Sequence, residues 1–484
     1  MTNFRRLRRA GNLVLVLASC LAPIGLAAQA TGGPLNAHQQ LARDIYKELI
    51  EINTTTDADP GGTTQAAEAM ATRLRAAGFS GADVQVLSSG PRDGNLVARL
   101  RGSGVAGRKP ILLLAHLDVV AARREDWTMD PFTFAEKDGF YYGRGTSDDK
   151  AMAAIFTDSL VRYRQEGYRP RRSIKLALTC GEETAGAGYF DSVRWLVQTQ
   201  PHVLAAEFAI NEGAGGELDS QGKPVALQVQ AGEKIYQDFS LQVSDPGGHS
   251  SLPKADNAIV RLGTALARLG AHRFPVALNP VTRAYFEAMA GLSAPDVAAD
   301  MRAILKSPPD EAAAARLWAV NPLWNAMLRT TCIVSMIDGG HAPNALPQHD
   351  KANVNCRILP DVPVADVQAE IVRVLADDGI KVTPTGEGGV QSPVPPLTEA
   401  VLGPARRVAE TIWPGVAIVP TMLPGYTDGK YLNPAGVPTY GLSGLFEDRE
   451  GNYEHGLNER MRVKSLMDGR RFLHEVVKLY ADGP

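Results

Sequence analysis

Apolar positions in the first half of the chain alternate between helical spacing and short continuous runs. They recur every three or four positions in four segments, whereas five other segments are largely apolar runs of strand length. The spacing predicts helices over 37–51, 66–77, 151–164 and 193–200, and strands over 83–87, 95–100, 111–114, 174–179 and 207–210. Strands that alternate with helices in this way indicate an α/β fold with a mainly parallel sheet, covered by helices on both faces.

The pattern changes near residue 235, where apolar and polar residues begin to alternate as in a half-buried strand. Strands are predicted over 236–243, 331–337, 352–359 and 380–384, and helices over 257–269 and 364–377. This order, β-α-β-β-α-β, is that of a ferredoxin-like α+β domain, with a long helical insertion between about 275 and 328.

We therefore expect a main domain with a second domain inserted into it. The 484 residues exceed the roughly 250 to 300 at which one hydrophobic core usually stops growing. We assign 31–234 to the first part of the main domain, 235–390 to the inserted domain and 391–484 to the second part of the main domain. The Gly- and Pro-rich stretch over 386–396 is the expected return linker.

Residues 1–30 are typical of an export signal. Four arginines between positions 5 and 9 precede an apolar run over 12–20, and Ala-Gln-Ala at 28–30 offers a small-x-small cleavage site. We therefore expect a periplasmic or secreted protein. Two alternatives stay open: a lipid anchor on Cys20, which follows the lipoprotein-like Leu-Ala-Ser, and an uncleaved membrane anchor.

Charge and hydropathy argue against nucleic-acid binding and against a further membrane span. The 50 basic and 53 acidic residues give a formal net charge of −3, and removal of the four signal arginines makes it −7. Nucleic acid is not expected as a partner, because a phosphate-binding surface needs a basic excess. No later segment reaches 18 uninterrupted apolar residues, so no further membrane span is predicted.

Three cysteines remain after the signal: Cys180, Cys332 and Cys356. All three lie in apolar, strand-like runs, which favours buried free thiols. A disulfide between two of them is the alternative, since export would place them in an oxidising compartment.

Acidic residues and histidines follow the predicted strands of the main domain. His116 and Asp118 end the strand that begins at 111, and strand periodicity places them on one side, where the Asp118 carboxylate can hold the second imidazole nitrogen. Asp148 lies in a Gly-flanked turn before a helix, and Glu182 and Glu183 follow the strand over 174–179. Taken singly, each has an ordinary structural explanation, such as a helix cap or a solvated loop acid.

Their joint arrangement is more informative. Glu212 follows the strand over 207–210, and a second histidine, His455, lies in the C-terminal part of the chain. Open α/β sheets bind ligands at the carboxyl ends of their strands, where these side chains converge. Imidazoles with carboxylates suit zinc, and a shared carboxylate suits a two-metal site, although Co²⁺ or Mn²⁺ would also accept these ligands.

The motifs HLDVV, WTMDPF followed by GRGTSDDK, GEE, NEG, PGGHSS, PNALP and HGLNER occur in this order over nearly all of residues 40–480. In this respect the chain resembles the M20 metallopeptidases, which include carboxypeptidase G, aminoacylases and carboxypeptidase S. The resemblance implies a zinc-exopeptidase-like α/β/α catalytic domain with an inserted lid, two Zn²⁺ per subunit and a cis peptide bond between Asp148 and Asp149.

The resemblance also implies roles for individual residues. Asp148 would bridge the two metals, with His116 and Glu183 as terminal ligands on opposite metals, joined by Glu212 and His455. Glu182 would be the general base that takes a proton from the attacking water and returns it to the leaving amine. His249 in the lid would donate to the oxyanion, either by lid closure or from the partner subunit of a homodimer formed through the lid.

Four residues are candidates for substrate binding. Asn344 and Arg357 lie in the lid, and a guanidinium fork matches a substrate carboxylate, although Arg357 has the alternative of an exposed strand position. Thr427 and Asp428 occupy a substrate loop of the M20 family, in which Lys430 stands where relatives often carry Arg.

We expect an exported hydrolase of amide bonds that acts on small peptides as a carboxypeptidase or dipeptidase. Two alternatives stay open. The first is an aminoacylase or other N-acyl amino acid hydrolase, and the second is a non-catalytic binding homologue.

Overall fold

The structure is a computed structural model that describes residues 34–55, 62–104, 108–183, 190–386, 389–448 and 450–483. The predicted export signal and Cys20 lie outside these residues. Within them, no helix is both long and apolar enough to cross a bilayer. The helices are α1 Ala37–Glu51, α2 Thr64–Ala76, α3 Lys150–Gln165, α4 Ser192–Thr199, α5 Pro201–Leu204, α6 Ala258–Ala271, α7 Pro280–Leu292, α8 Pro295–Ile304, α9 Glu311–Val320, α10 Pro322–Leu328, α11 Val364–Leu375, α12 Glu399–Ile412, α13 Gly429–Leu432 and α14 Val463–Asp482.

The strands are β1 Val84–Leu87, β2 Asn95–Leu100, β3 Ile111–His116, β4 Ala135–Lys137, β5 Phe140–Tyr142, β6 Ile174–Thr179, β7 Ala209–Asn211, β8 Gly216–Leu218, β9 Pro224–Glu233, β10 Ile235–Ser244, β11 Gly248–His249, β12 Thr331–Gly339, β13 Ala345–Leu346, β14 His349–Ile358, β15 Ile380–Thr385, β16 Ala417–Leu423, β17 Thr439–Gly441, β18 Phe446–Glu447 and β19 Arg460–Arg462. The predicted elements are therefore present, with ends displaced by a few residues.

Ten strands form one mixed sheet in the order β1-β2-β6-β3-β7-β17-β9-β8-β18, with β16 beside β9. Strands β6, β3, β7 and β17 are parallel neighbours, as the alternation of strands and helices predicted. The sheet is less parallel than expected, because β1–β2, β2–β6 and β8–β9 pair antiparallel. The carboxyl ends of the parallel strands form one edge of the sheet.

Strand β3 explains why its sequence is continuously apolar. Ile111 and Leu113 pack into a large core with α1, α3 and α14, whereas Leu112 and Leu114 pack into a second core with α4 and the loop before β17. Alternate side chains of a strand point to opposite faces, so both faces of β3 are buried under helices. The α/β/α layering is thus confirmed.

The predicted ferredoxin-like order is also present. Strands β12, β14, β10 and β15 form a four-stranded antiparallel sheet, and α6 and α11 connect its strands in the β-α-β-β-α-β sequence. Helices α6 and α11 share one buried core with this sheet. We call this region the lid; its assigned limits at 235 and 390 stay predictions.

The helical insertion over 275–328 is helical as predicted, but it packs against the main domain. Helices α7 to α10 share a core with Ala226 of β9 and Val419 of β16. Strand β12 at the edge of the lid sheet is consequently left exposed.

The expectation of three free thiols is wrong. Cys332 and Cys356 are directly opposite each other on β12 and β14 and form a disulfide, whereas Cys180 is free and buried. The apolar neighbours of these cysteines are compatible with free thiols as well as with a disulfide. The register of β12 and β14, which places Cys332 opposite Cys356, is what allows the disulfide.

Candidate metal centre

His116, the last residue of β3, has its tautomer fixed by the backbone. Its Nδ1 donates to the carbonyl oxygen of Asp118 at 2.9 Å, which leaves the Nε2 lone pair free for a metal. We expected the Asp118 carboxylate in this role, but its nearer oxygen is 3.8 Å from Nδ1. Instead, Asp118 Oδ2 accepts from the backbone N–H of Glu183 at 3.1 Å and so positions a second ligand.

Asp148 lies between two groups of ligands and directs one carboxylate oxygen toward each. Its Oδ1 is 2.9 Å from His116 Nε2, and Glu212 Oε1 is 3.8 Å from the same nitrogen. Its Oδ2 is 2.9 Å from His455 Nε2, which lies 3.0 Å from Glu183 Oε2. The five predicted ligands therefore converge as two half-sites that share Asp148.

The electrostatics of the half-sites call for cations. Burial alone would lower the pKa of His116, but the charges of Glu212 and Asp148 outweigh it and raise that pKa well above its usual range. Hydrogen bonds to Asp148 and Glu183 likewise raise the pKa of His455 to about 10.

The donor atoms of the site are clustered and partly unpaired. Among the described residues, the buried Glu183 Oε1 has no hydrogen-bond partner. Donor atoms of His116, Asp148 and Glu183 lie within 4.8 Å of one another, and a second such group consists of His116, Asp149 and Glu212. These clustered imidazole and carboxylate donors fit divalent metal ions.

Backbone geometry supports the convergence. The peptide bond between Asp148 and Asp149 is cis, as the resemblance implied. His455 has a φ of 58°, a left-handed conformation that costs energy for a residue other than glycine. A left-handed residue other than glycine persists where its surroundings enforce that conformation, which is common at functional sites.

Glu459, which the sequence analysis left unassigned, holds the turn that carries Asp148. It is fully buried; Oε2 accepts from Gly145 N–H at 2.9 Å, and Oε1 accepts from the N–H groups of Ser147 and Asp148 at 2.7 and 3.1 Å. Arg144 Nη1 donates to Oε2 at 2.7 Å. Burial raises the pKa of Glu459 to about 7, against the opposing effect of these donors. The motif HGLNER thus contains the predicted ligand His455 and, four residues later, a carboxylate that supports the turn of the predicted ligand Asp148.

A cavity of about 310 Å³ opens beside the ligands. Its walls include Asp148, Glu182, Glu183, Glu212, His455 and Thr427. Burial, followed by the charge of Glu212, raises the pKa of Glu182 well above its usual range. Glu182 therefore lies next to the predicted ligands, in a position compatible with its predicted role as general base.

Arg357 and Lys430 lie next to this cavity in a stack with aromatic rings. The Arg357 guanidinium lies 4.7 Å from the ring centre of Tyr236 and 5.5 Å from that of Tyr426, which lines the cavity. Lys430 Nζ lies 3.7 Å from the centre of the Tyr426 ring. Arg357 Nη1 is buried and, within the described part of the chain, has no hydrogen-bond partner. The stack joins the lid to the main domain, and sequence reasoning identified neither tyrosine.

Thr427 and Asp428 differ in their access to the cavity. Thr427 lines it, and both its N–H and its hydroxyl donate to the buried Glu233. Asp428 is buried behind it, and its Oδ2 accepts from the Thr179 hydroxyl at 3.2 Å. Asp428 thus supports the loop, while Thr427 faces the site.

His249 and Asn344 lie together on the lid and outside the walls of the cavity. Strands β11 and β13 pair His249 with Ala345, and the Asn344 carbonyl accepts from Ser250 N–H at 3.1 Å. Both residues are exposed. Ser251 N–H donates to His249 Nδ1 at 3.2 Å, so the ring proton lies on Nε2 and is available for donation. Within one chain, these two predicted site residues therefore do not line the cavity that contains the predicted metal ligands.

Comparison with known proteins agrees with this geometry. A model of the peptidase family M20/M25/M40 matches residues 112–479. Human N-fatty-acyl-amino acid synthase/hydrolase PM20D1 is 30% identical over 379 residues, which cover 76% of this chain and 74% of the relative. The probable carboxypeptidase S-like 2 of Dictyostelium discoideum is 28% identical over 377 residues, 76% of this chain and 71% of the relative.

A solved structure supports the same fold. The M20 family metallo-carboxypeptidase Sso-CP2 from Sulfolobus solfataricus aligns with a TM-score of 0.65 at 17% identity, over 91% of this chain and 99% of the other.

Fold and site together define a hydrolase of amide bonds whose ligands suit two metal ions. The chain belongs to the peptidase family M20/M25/M40. The expected resemblance and class of reaction are thereby confirmed.

Proposed function

We propose that this protein hydrolyses the amide bond between an acyl group and an amino acid that carries a free α-carboxylate, with N-acyl amino acids as the first class of substrate. The observation that carries this proposal is a pair of cations, Arg357 and Lys430, stacked on the ring of Tyr426, which itself lines a largely acidic cavity. The relative PM20D1, named as an N-fatty-acyl-amino acid synthase/hydrolase, supports the choice of the acyl class.

The two cations complement a carboxylate. The buried Arg357 Nη1 lacks a hydrogen-bond partner among the described residues, and burying an unsatisfied donor costs about 1–3 kcal/mol. A substrate carboxylate would satisfy it with a charge-assisted hydrogen bond. Leu423 and Leu445 line the same cavity and offer apolar contacts for an acyl chain.

Small peptides, cleaved by carboxypeptidase or dipeptidase action, are the second candidate. Glu447 and Glu454 also line the cavity, and burial raises the pKa of Glu447 to about 8 with a further contribution from the charge of Glu454. A cationic α-ammonium group of an unblocked peptide would stabilise these acids, whereas an alkyl chain would not. The carboxypeptidase S-like relative also favours peptides.

The roles of this chain's own residues follow from their positions. Two bound divalent cations would polarise the amide carbonyl and lower the pKa of the attacking water toward ~7. Glu182 takes the proton of that water and transfers it to the leaving amine. His249, with its proton on Nε2, donates to the oxyanion when it is brought to the site. We propose Zn²⁺ as the native ion because the donor set is two imidazoles with carboxylates; Co²⁺ and Mn²⁺ are the alternatives.

A homodimer through the lid would explain the distance of His249 from the metals. Strand β12 forms the edge of the lid sheet, and Ile333, Met336 and Ile337 on it are 64%, 70% and 65% exposed. Ile259 and Val260 of α6 are exposed as well. An unpaired edge with contiguous apolar side chains is typical of an interaction surface, and a second copy can pair its own β12 there.

Export remains part of the proposal. The arginine-rich, apolar N-terminal segment supports a periplasmic or secreted location, with lipid anchoring through Cys20 as the alternative. The Cys332–Cys356 disulfide also supports it, because such bonds persist in oxidising compartments.

A substrate screen with the Zn²⁺-loaded protein tests the main proposal. It compares N-acyl amino acids of increasing chain length, their α-carboxamides, and unblocked dipeptides. We expect turnover of the N-acyl amino acids and a value of kcat/KM at least ~10-fold lower for the carboxamides, because these lack the charge that Arg357 and Lys430 contact. Equal turnover of acids and carboxamides would refute carboxylate recognition, and turnover of dipeptides alone would favour the second candidate.

A further inference from the structure

Glu233 ends β9 beside the loop over 424–430, which we call the substrate loop and which carries Tyr426, Thr427 and Lys430. Glu233 pairs with Leu423, the last residue of the parallel neighbour β16. The loop therefore leaves the sheet beside the carboxylate of Glu233, which is 1% exposed.

Among the described residues, the hydrogen bonds of this carboxylate all come from one residue of the substrate loop. Oε2 accepts from Thr427 N–H at 2.9 Å and from the Thr427 hydroxyl at 3.0 Å. Oε1 has no hydrogen-bond partner in the part of the chain that the structure describes. A buried carboxylate is costly, and a neutral or apolar side chain would usually serve stability better. Its retention beside the cavity therefore calls for a function.

The effect of Glu233 continues along the substrate loop. The Thr427 hydroxyl accepts from Gly429 N–H at 3.0 Å, and the Thr427 carbonyl accepts from Lys430 N–H at 3.1 Å. A Cβ on Gly429 would lie 3.1 Å from Thr427 Oγ1 and 3.3 Å from Glu233 Oε1, so this contact leaves almost no free space. Displacement of Thr427 would thus also move Tyr426 and Lys430.

We propose that Glu233 is a positioning residue that fixes the substrate loop through Thr427 and thereby places Tyr426 and Lys430 against the substrate carboxylate. Among the described residues, Glu233 forms no hydrogen bond with a predicted metal ligand, and it does not line the cavity. Its contribution is to substrate affinity, so its loss raises KM and leaves kcat and bound metal largely unchanged. This inference depends on the proposed carboxylate recognition.

The experiment measures kcat, KM, metal content and thermal midpoint for the variants Glu233→Gln and Thr427→Val, with the substrate that the wild-type protein turns over best. We expect KM to rise about 10-fold in each, with kcat within about threefold. The conservative variant Thr427→Ser keeps the hydroxyl that donates to Glu233, so its KM should lie closer to that of wild type than the KM of Thr427→Val does. The double variant Glu233→Gln/Thr427→Val should be no worse than either single variant, because both disrupt the same contact.

Matched controls separate positioning from general destabilisation. Asp158→Asn removes a buried carboxylate paired with Arg470, and Thr157→Val removes a buried hydroxyl bonded to Ala153; neither residue lines the cavity. Both should lower the thermal midpoint without changing KM. The proposal is overturned if KM stays constant while kcat or metal content falls, or if the effects in the double variant add.

Three further comparisons cover the remaining outcomes. If Glu233→Gln does not fold, the difference in KM between Thr427→Val and Thr427→Ser tests the inference by itself. If wild type cleaves peptides and no N-acyl amino acids, the proposed acyl class fails, while the same KM comparison with a peptide still tests Glu233. If no amide is cleaved, calorimetric binding of a free amino acid by the Zn²⁺-loaded variants replaces KM, and equal affinities refute the inference.

Discussion

Glu459 and Asp148 are 311 positions apart in sequence, yet Glu459 Oε1 accepts a hydrogen bond from the backbone N–H of Asp148 at 3.1 Å. The same carboxylate accepts from Gly145 and Ser147, so it determines the shape of the turn that presents the bridging ligand. His455 lies four residues before Glu459. One short segment therefore provides the predicted ligand His455 and also positions the Asp148 carboxylate that lies between the two half-sites.

Replacement Glu459→Gln should weaken metal binding. The amide would direct an NH₂ group toward backbone N–H donors, leaving at least one of them unsatisfied at a cost of about 1–3 kcal/mol. We expect the dissociation constant for Zn²⁺ to rise ~10–100-fold, which is typical of a lost partner behind a metal ligand. Competition with a chromophoric chelator measures it. Glu475→Gln, on the exposed side of α14, serves as the control, and an unchanged affinity in Glu459→Gln would show that the turn keeps its shape without the carboxylate.

The convergence of the five predicted ligands could be inferred from sequence because each of them ends a local pattern. His116, Glu183 and Glu212 follow apolar strands, and parallel strands bring their carboxyl ends to one edge of the sheet. The order of the motifs then assigned Asp148 and His455. Such inference requires only that the strands form and lie side by side.

The features that the sequence did not predict depend on contacts between distant segments. The hydrogen bonds of Glu459, the Tyr236–Arg357–Tyr426 stack and the Cys332–Cys356 disulfide are each set by register or by loop placement, which local spacing does not encode. The helical insertion illustrates the same limit. Its helices were recognisable, but the surface that they cover, on β9 and β16, was not.

Replacement Glu182→Gln tests the proton-transfer role. Gln keeps the size of the side chain but cannot take a proton, so kcat should fall by at least ~10²-fold. Glu182 is not among the predicted ligands, so metal content measured by plasma mass spectrometry should equal that of wild type. Near-normal turnover with a full metal complement would refute the assignment. Loss of metal would instead show that Glu182 is itself a ligand.

Replacement Arg357→Lys tests recognition of the substrate carboxylate. Lys keeps the positive charge but loses the planar fork that stacks on Tyr236 and Tyr426. We expect KM for substrates with a free α-carboxylate to rise about 10-fold, and no change for their carboxamides. Arg373→Lys, on the exposed face of α11, is the matched control. A similar rise for acids and carboxamides would mean that Arg357 shapes the site without contacting the carboxylate.

His474 should make stability depend on pH. It is 1% exposed and stacks on Tyr163, and burial, followed by nearby cations, lowers its pKa to about 2. Glu166 lies 3.5 Å away and would favour the charged ring, but Lys478 also binds this carboxylate, at 3.0 Å. Other titratable neighbours among the described residues are Arg162, Arg470, Glu475 and His38.

The direction of this pH dependence follows from proton uptake. Between about pH 6.5 and pH 2 the unfolded state binds a proton that the folded state excludes, so the free energy of unfolding falls as pH falls below about 6.5. The contribution of His474 is up to ~1.4 kcal/mol per pH unit. Urea titrations at pH 7.5, 6 and 5 should show a shallower decline for His474→Phe, which keeps the stacked ring. Parallel declines in wild type and variant would exclude His474 as the source.

Complementation between two inactive variants tests whether His249 acts across a homodimer. Glu182→Gln lacks the proton acceptor, and His249→Ala lacks the oxyanion donor, so each should be inactive alone. In a mixed dimer, the His249→Ala subunit keeps Glu182 and receives His249 from its partner, so one complete site forms. After dissociation and random reassociation, activity should recover to about a quarter of wild type, since half of the dimers are mixed and each has one of two sites.

Ile337→Lys in β12 should abolish both recovery and dimerisation in analytical ultracentrifugation, because it places a charge in the apolar edge. Mixed dimers without recovered activity would show that His249 reaches the metals of its own chain by lid closure, and a monomeric wild type would refute the dimer.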